Sequence, residues 1–416
     1  MSLVRKILFV SGIVVLLGAA AIAVAVLVRY REASDVRGSS TEEFVTTEAL
    51  PEAPEEPGVV WPTYGFSPDR LRAVGLPHRP PYRVRWFFRA RTLVEFPPAI
   101  AYGRLYFTNA YGRLYAVNTR TGRRAWKYDS GRCNASTPAV WEHTVIQTFM
   151  SRCPRRGARR DGEIVALYAG WGQLKWRVRI APSESSPVVV DEIVYFGDAS
   201  GHVYALFART GKLKWKFRTQ GPVKGGVAVS GNRLYVGSYD HNVYALNRET
   251  GKLLWKSGAQ KRFGRRGTFY STPAAAYGRV YIGGTDGKVY SFGATTGKLR
   301  WSHSTGGYVY SSPAVWNKLV FVGSYSKRFF ALDAATGDVR WIFHANGRIS
   351  GSPTVVNGIV YVATLSERTY ALDARTGRVL WQFPDGKYAP VVADTERLYL
   401  TGHFRLYALE PRRVLR

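Results

Sequence analysis

Arginine and lysine residues are concentrated in two insertions of this 416-residue sequence, and side chains of these types bind anions. The first insertion, SRCPRRGARRDG, begins at Ser151, and the second extends from Lys261 to Arg266. Arginine binds carboxylate and phosphate groups through forked hydrogen bonds, whereas lysine acts as a point charge. The predicted binding face comprises Arg152, Arg155, Arg156, Arg159, Arg160, Lys261, Arg262, Arg265, Arg266, Lys327 and Arg328. The alternative interpretation is that these are solvated loops whose charge keeps the protein soluble.

The charge of the whole chain supports an anionic partner. The formal net charge is +30, although residues 32–58 hold eight acidic side chains against the single Arg37, so the remainder is strongly basic. Such a balance predicts binding to an anionic molecule or surface and carries no information on the fold. An arginine-rich surface that serves only solubility explains it equally well. Nucleic acid is disfavoured as a partner, because no nucleic-acid-binding motif is present.

Residues that could perform redox, metal or nucleophilic chemistry are few. The two cysteines, Cys133 and Cys153, match neither a zinc pattern nor a Cys-x-x-Cys redox pair, and a single disulfide is predicted, with two buried free thiols as the alternative. A disulfide would place this part of the chain outside the cytoplasm. The seven histidines occur singly, without metal-ligand spacing, and no glycine loop that cradles phosphate opens a helix. The sequence therefore predicts no catalytic residues, no metal and no cofactor.

The N-terminus predicts a membrane anchor. Residues 7–28 contain no charge, and about 1.5 Å of helical rise per residue lets them cross a bilayer core of roughly 30 Å. The run continues past the Ala-x-Ala pattern at Ala23 and Ala25, so an uncleaved signal anchor is favoured over a cleaved signal peptide. Residues 1–6 form a short tail before it. Residues 29–58, acidic and rich in Pro, Ser and Thr, are expected to be a disordered tether.

From residue 82 onward the sequence repeats at about 40 residues, a period typical of propellers and solenoids. Each repeat reads as four strands, with a turn centred on Thr-Gly before a strand that carries tryptophan. Glycine suits that turn because it adopts positive φ without steric cost. The repeated tryptophans are Trp86, Trp126, Trp176, Trp215, Trp255, Trp301, Trp341 and Trp381.

The two ends of the repeat region complement each other. A tryptophan strand, Val84–Phe88, opens it without the preceding strands, and a Leu406–Glu410 strand ends it without a tryptophan strand. Pairing the first into the last blade closes a ring and leaves no exposed sheet edge. The prediction for residues 59–416 is an all-β fold, an eight-bladed β-propeller of four-stranded antiparallel blades.

The pattern Ala-x-Asp-x-x-Thr-Gly-x-x-x-Trp, present at Ala331–Trp341 and Ala371–Trp381, resembles the quinoprotein-type (PQQ-like) propeller repeat over nearly all of residues 82–411. That family includes quinoprotein dehydrogenases and non-catalytic propellers such as the BamB-like assembly factor, and the chain resembles the non-catalytic members. The resemblance implies that the tryptophans dock neighbouring blades. It also implies what a dehydrogenase would need: a disulfide between adjacent cysteines, a calcium ion held by acidic and amide side chains, and a catalytic aspartate. This sequence departs from that set, since Cys133 and Cys153 are 20 residues apart.

Strand order predicts which loops share a face. In antiparallel four-stranded blades, the loops between blades and those between the second and third strands lie on one side. Both basic insertions and both cysteines fall on that side. The residues expected at the channel mouth there are Glu95, Glu184, Lys224, Tyr270, Tyr310 and Lys387. They could bind something small and polar, or they could be polar residues tolerated beside a wet channel.

These observations predict a membrane-anchored, extracytoplasmic and non-catalytic binding or scaffolding module. Its expected partners are envelope proteins, anionic polymers or lipid headgroups. The alternative is a PQQ-dependent quinoprotein dehydrogenase.

Overall fold

The structure, a computed structural model, describes residues 13–26, 34–47, 54, 56–153, 161–262, 265–389 and 391–412. A helix covers residues 13–26. Within these described ranges, no helix has both the length and the apolar character needed to cross a membrane. The predicted anchor, residues 7–28, extends at both ends into residues outside the described ranges.

Eight sheets form the ring of blades, each with its first strand innermost. Two short strands precede them, β1 (Val59–Trp61) and β2 (Ala73–Val74), followed by β3 (Tyr82–Arg89). Blade 1 holds β4 (Ala99–Ala101), β5 (Arg104–Thr108), β6 (Arg113–Asn118) and β7 (Arg124–Asp129); blade 2 holds β8 (Ala139–Trp141), β9 (Thr144–Phe149), β10 (Gly162–Tyr168) and β11 (Leu174–Ile180). Blade 3 holds β12 (Val188–Val190), β13 (Ile193–Gly197), β14 (His202–Phe207) and β15 (Leu213–Arg218); blade 4 holds β16 (Ala228–Ser230), β17 (Arg233–Gly237), β18 (Asn242–Asn247) and β19 (Leu253–Gly258).

A two-stranded hairpin, β20 (Lys261–Arg262) and β21 (Arg265–Arg266), separates blades 4 and 5. Blade 5 holds β22 (Ala274–Ala276), β23 (Arg279–Gly283), β24 (Lys288–Gly293) and β25 (Leu299–Ser304); blade 6 holds β26 (Ala314–Trp316), β27 (Leu319–Gly323), β28 (Arg328–Asp333) and β29 (Val339–His344). Blade 7 holds β30 (Thr354–Val356), β31 (Ile359–Thr364), β32 (Arg368–Asp373) and β33 (Val379–Phe383); blade 8 holds β34 (Val391–Ala393), β35 (Leu398–Thr401), β36 (Arg405–Pro411) and β3. The eight-bladed, all-β prediction is confirmed.

Ring closure occurs as the sequence predicted. Strand β3, from the start of the repeat region, pairs antiparallel with β36 at its end, from Tyr82 opposite Pro411 to Arg89 opposite Arg405. The pairing supplies the outer strand of blade 8 and covers the edge of β36.

Tryptophan and glycine fit together at the blade interfaces. The indole Nε1 of Trp215, on the outer strand of blade 3, donates to the Arg248 carbonyl oxygen of blade 4 at 2.9 Å. Its ring covers Gly251 in the Thr-Gly turn of blade 4, where a Cβ would lie 2.7 Å from the ring, so this contact joins two neighbouring blades.

The same arrangement recurs around the ring. The glycines of the corresponding turns carry positive φ, and a Cβ on any of them would lie 2.6–2.8 Å from the tryptophan ring of the preceding blade; they are Gly122, Gly172, Gly211, Gly251, Gly297, Gly337 and Gly377. Glycine is therefore needed here for two reasons, the turn conformation and the space that the indole occupies. Trp381 faces blade 8, whose outer strand comes from the N-terminal side of the chain, and it packs edge-on against Tyr82 at 5.2 Å between ring centroids.

Residues 59–78, called here the inner segment, lie inside the ring and add a fifth, innermost strand to the sheets of blades 1 and 7. Strand β1 pairs with β4 of blade 1, and β2 pairs in parallel with β30 of blade 7. Between and beyond them, the inner segment contacts the other blades in order through the pairs Pro62–Val140, Thr63–Pro187, Pro68–Val229, Asp69–Ala275, Leu71–Val315 and His78–Asp394. One continuous segment thus connects all eight blades from within.

Residues 34–47, called here the strap, cross the outside of the ring between blades 5 and 6. The strap begins beside Lys288, whose Nζ lies 3.2 Å from Asp35, and a bridge joins Val36 to Ser302. It ends near the turn between β22 and β23, where the Val45 amide donates to the Tyr277 carbonyl oxygen at 3.0 Å.

The prediction of a disordered tether is wrong for residues 34–47. Glu42 and Glu43 each lie 2.5 Å from the Arg300 guanidinium, and the Phe44 ring stacks on Tyr277 at 5.4 Å. The acidic composition that predicted disorder is complementary to basic side chains of blade 5, and composition alone does not reveal such a binding surface. Residues 27–33, 48–53 and 55 of this stretch lie outside the described ranges.

Candidate functional site

The two faces of the ring differ in what they carry. The turn face holds the Thr-Gly turns and the turns between first and second strands. The insertion face holds the loops between blades and those between second and third strands, and both basic insertions belong to it. The first insertion joins β9 to β10 in blade 2, and the second joins β19 of blade 4 to β22 of blade 5.

A disulfide and an ion-pair cluster hold the base of the first insertion. Cys133 and Cys153 are bonded, with 5.1 Å between their Cα atoms, which confirms the predicted disulfide. The buried Arg132 guanidinium lies 3.4 Å from Asp161 and 3.3 Å from Glu163. These contacts fix both ends of a loop whose residues 154–160 lie outside the described ranges, among them Arg155, Arg156, Arg159 and Arg160.

The described basic residues of the insertion face occupy separate positions around it. Arg152 is exposed in blade 2, Lys261 and Arg266 are exposed on the β20–β21 hairpin, and Lys327 is exposed in blade 6. Arg262 and Arg265 belong to the same hairpin, and their side chains lie outside the described part of the structure. Arg328 is partly buried and donates to the Thr305 carbonyl oxygen at 2.7 Å. Arg152, Lys261, Arg266 and Lys327 therefore lie on loops of the same face but at different blades.

A cavity of about 280 Å³ lies inside the ring, and its walls carry most of the residues predicted at the channel mouth. Glu95, Glu184, Lys224, Tyr270 and Tyr310 all line it, each from the loop that leads into the first strand of a blade. Lys387 does not line it. Its Nζ lies 3.6 Å from Glu367 and 3.4 Å from His403 Nε2, so the Lys387 ammonium is paired with a carboxylate that does not line the cavity.

The two cavity carboxylates have different surroundings. Glu184 lies 3.0 Å from Lys224 Nζ and accepts a hydrogen bond from the Tyr270 hydroxyl at 3.1 Å. Glu95 has no hydrogen bond or ion pair to any residue in the described ranges. Burial and the nearby Glu184 charge raise the pKa of Glu95 to about 7. Glu184 thus has a cationic partner, whereas Glu95 has none among the residues that the structure describes.

Aromatic rings form much of the remaining wall. Tyr270 and Tyr310 meet edge-on at 5.3 Å, and Tyr310 lies 5.1 Å from Tyr325. Tyr325 and Tyr388 also line the cavity, and the sequence analysis missed both. Tyr325 lies in the loop between β27 and β28, and Tyr388 is the neighbour of Lys387, so neither occupies the position before a first strand from which the channel mouth was predicted.

The inner segment forms part of the cavity wall. Tyr64 lines the cavity, and its hydroxyl donates to Ser352 Oγ at 2.8 Å. Beside it, the buried Arg70 guanidinium donates to the carbonyl oxygens of Val227 at 2.7 Å and Ser186 at 3.1 Å. Burial lowers the pKa of Arg70 to about 9. The Arg72 guanidinium lies 3.8 Å from the Tyr64 ring centroid. One tyrosine of the cavity wall therefore already makes a cation–π contact within the protein.

The side chains that line the cavity do not fit a quinone held by calcium, the cofactor that the resemblance to quinoprotein dehydrogenases implies. In the described ranges, no group of three or more His, Cys, Asp or Glu side chains could hold a metal ion. Glu184 is already engaged by Lys224 and Tyr270. The disulfide joins two loops at blade 2 and involves no adjacent cysteine pair. No reaction step is therefore derived through a quinone.

Comparison with known proteins supports the fold and its family. The family model described as outer membrane protein assembly factor BamB matches residues 83–218, 199–309 and 305–412. Among curated proteins, no relative matches the chain.

Solved structures share the architecture at low identity. BamB from Moraxella catarrhalis is 17% identical with a TM-score of 0.63, covering 81% of this chain and all of that one. A europium-containing methanol dehydrogenase is 14% identical with a TM-score of 0.73, covering 86% of this chain and 98% of that one. Quinohemoprotein alcohol dehydrogenase from Comamonas testosteroni is 16% identical with a TM-score of 0.69, covering 84% and 80%. These similarities show the fold alone. On the family match, the chain belongs to the PQQ-like β-propeller family that includes the outer membrane protein assembly factor BamB.

Proposed function

We propose that this chain is a membrane-tethered, extracytoplasmic and non-catalytic binding module whose insertion face contacts an extended anionic partner. The observation that carries the proposal is the course of the strap. It starts at the insertion face, where the Ser34 carbonyl oxygen accepts from Gln260 Nε2 at 3.2 Å, one residue before the basic hairpin. The chain entering from the N-terminal helix therefore reaches the ring on its basic side.

Chain length limits how far that face can stand from the helix. Seven residues separate residue 26, the last described residue of the helix, from Ser34, and an extended chain spans at most about 3.6 Å per residue. The reach is therefore no more than about 30 Å. If the N-terminal segment is anchored in a bilayer, Ser34 lies within that distance of its surface, so the insertion face, where the strap begins, can contact the membrane.

The spacing of the basic side chains favours an extended partner over a small one. Arg152, Lys261 and Lys327 lie on different blades, so one small anion cannot contact them together. A lipid surface or a long anionic polymer can. Near an anionic membrane surface each lysine or arginine contributes about 1 kcal/mol of attraction, an effect that salt screens.

The test uses the full chain in a neutral detergent and heparin as a probe for an extended anionic polymer. Replacing Lys261 and Arg266 by glutamine is expected to lower the salt concentration needed for elution from immobilised heparin. The matched control replaces Arg123 and Lys318, which are exposed on the turn face, with the same loss of charge. An equal shift for both pairs would show that only net charge matters and would overturn the proposal.

The dehydrogenase alternative is tested separately. The full chain is incubated with the quinone cofactor, calcium and an artificial electron acceptor dye, and an alcohol is then added. The proposal expects no dye reduction above that of the heat-denatured protein. Alcohol-dependent dye reduction would contradict the non-catalytic assignment.

A further inference from the structure

The charge distribution of the central cavity is unusual for a protein with a net charge of +30. Glu95 lies inside it without a hydrogen bond or ion pair to any described residue, while Lys224 is occupied by Glu184 at 3.0 Å. The carboxylate of Glu95 is therefore available to a ligand, and the cavity's lysine already has a partner.

The cavity walls add aromatic rings to this carboxylate. Tyr270, Tyr310 and Tyr388 line the space around Glu95 and Glu184, and Phe96 adjoins Tyr64 at 5.4 Å between ring centroids. The faces of aromatic rings attract cations, and sets of such rings beside a carboxylate bind organic ammonium groups. The nearby Lys224 ammonium, 5.4 Å from the Tyr239 ring centroid, shows the same interaction within the protein.

We propose that the central cavity binds a small organic cation, a protonated amine or a quaternary ammonium, between Glu95 and the surrounding tyrosine rings. The volume of about 280 Å³ suits a small molecule, because it is at the lower limit of the roughly 300–1,000 Å³ of typical ligand sites. Carboxylate ligands are disfavoured, since they would meet Glu95 and Glu184 together. The proposal does not depend on the insertion face or on the membrane anchor.

Ionisation of Glu95 controls the expected pH dependence. The titratable groups that line the cavity with it are Glu184, Lys224 and the tyrosines, and burial raises the pKa of Tyr270 and Tyr388 above the usual range of tyrosine. Because the Glu95 pKa is about 7, this carboxyl changes charge between pH 6 and pH 8. Cation binding is therefore expected to be about tenfold tighter at pH 8 than at pH 6, following the ionised fraction.

The experiment is calorimetric titration of the full chain in a maltoside detergent, whose headgroup carries no ammonium. The probes are choline and its uncharged carbon analogue, 3,3-dimethyl-1-butanol, which has nearly the same shape. Choline is expected to bind at least about tenfold more tightly than the analogue, a difference of about 1.4 kcal/mol. Glycerophosphocholine serves as a second probe. If it binds, the ammonium group recognised by the cavity comes from a lipid headgroup. If choline binds and glycerophosphocholine does not, the ligand is a free amine.

Two variants locate the site. Glu95→Gln keeps the shape and removes the charge, and choline affinity is expected to fall at least about tenfold. Tyr310→Leu removes one aromatic ring and is expected to weaken choline binding several-fold. This second variant tests the site even if Glu95→Gln folds poorly. Glu367→Gln, outside the cavity lining, is the control. Equal affinity for choline and the analogue, no choline binding at about 10 mM, or full affinity in Glu95→Gln would each overturn the proposal.

Discussion

The glycines beneath the tryptophan rings provide a sharp test of how the blades are held together. In the substitution Gly251→Ala, the new Cβ would lie 2.7 Å from the Trp215 ring, at a residue with φ of +70°. The left-handed conformation costs alanine about 1–2 kcal/mol, and overpacking adds about 1–3 kcal/mol. The expected loss in the free energy of unfolding is therefore about 2–5 kcal/mol.

Gly231 of the same blade is a matched control. Its φ is +53°, and a Cβ there would meet no atom within 4 Å, so Gly231→Ala should lose only the conformational part, about 1–2 kcal/mol. Denaturant unfolding of the full chain, followed by tryptophan fluorescence, measures both variants. Equal destabilisation would refute the argument that the indole needs the space left by the absent side chain.

Three further predictions concern the closure, the strap and the cavity. Deleting residues 82–89 removes the outer strand of blade 8 and should lower the melting temperature markedly; an unchanged melting profile would contradict the closure. Arg300→Ala frees Glu42 and Glu43 and should speed tryptic cleavage after Arg37, as should high salt, whereas Arg123→Ala on the turn face should not; equal rates would contradict the strap contacts. Because the folded protein holds the Glu95 pKa at about 7, above its value in an unfolded chain, the stability that this group contributes falls as pH rises towards 7. Glu95→Gln should therefore raise the melting temperature at pH 8 and change it little at pH 5, and an equal change at both would contradict the pKa argument.

The blades could be predicted from the sequence because their determinants are local. The spacing of the tryptophans, the Thr-Gly turns and the two unmatched end strands specify the number of blades and the closure of the ring. The disulfide followed from strand order, since Cys133 and Cys153 both fall in loops of the insertion face.

The strap and the inner segment could not be predicted in this way. Their order depends on contacts across long sequence separations, such as Glu43 with Arg300 and Pro62 with Val140. Neither segment has the repeat pattern, and nothing in a local window of sequence identifies its partner. The cavity was predicted in part, because strand order places Glu95 and Glu184 on one channel. The tyrosines from other loops, and the turn of Lys387 towards Glu367, depend on the folded arrangement.

The orientation of the ring on a membrane is the most direct measure of the proposed function. A fluorophore is attached to a cysteine introduced at Lys261 on the insertion face or at Lys318 on the turn face, and the full chain is placed in nanodiscs of anionic lipid that carry a lipid-bound quencher. The account predicts strong quenching of the label at residue 261, reduced by salt, and weak quenching at residue 318. Equal quenching at both, or stronger quenching at residue 318, would contradict it.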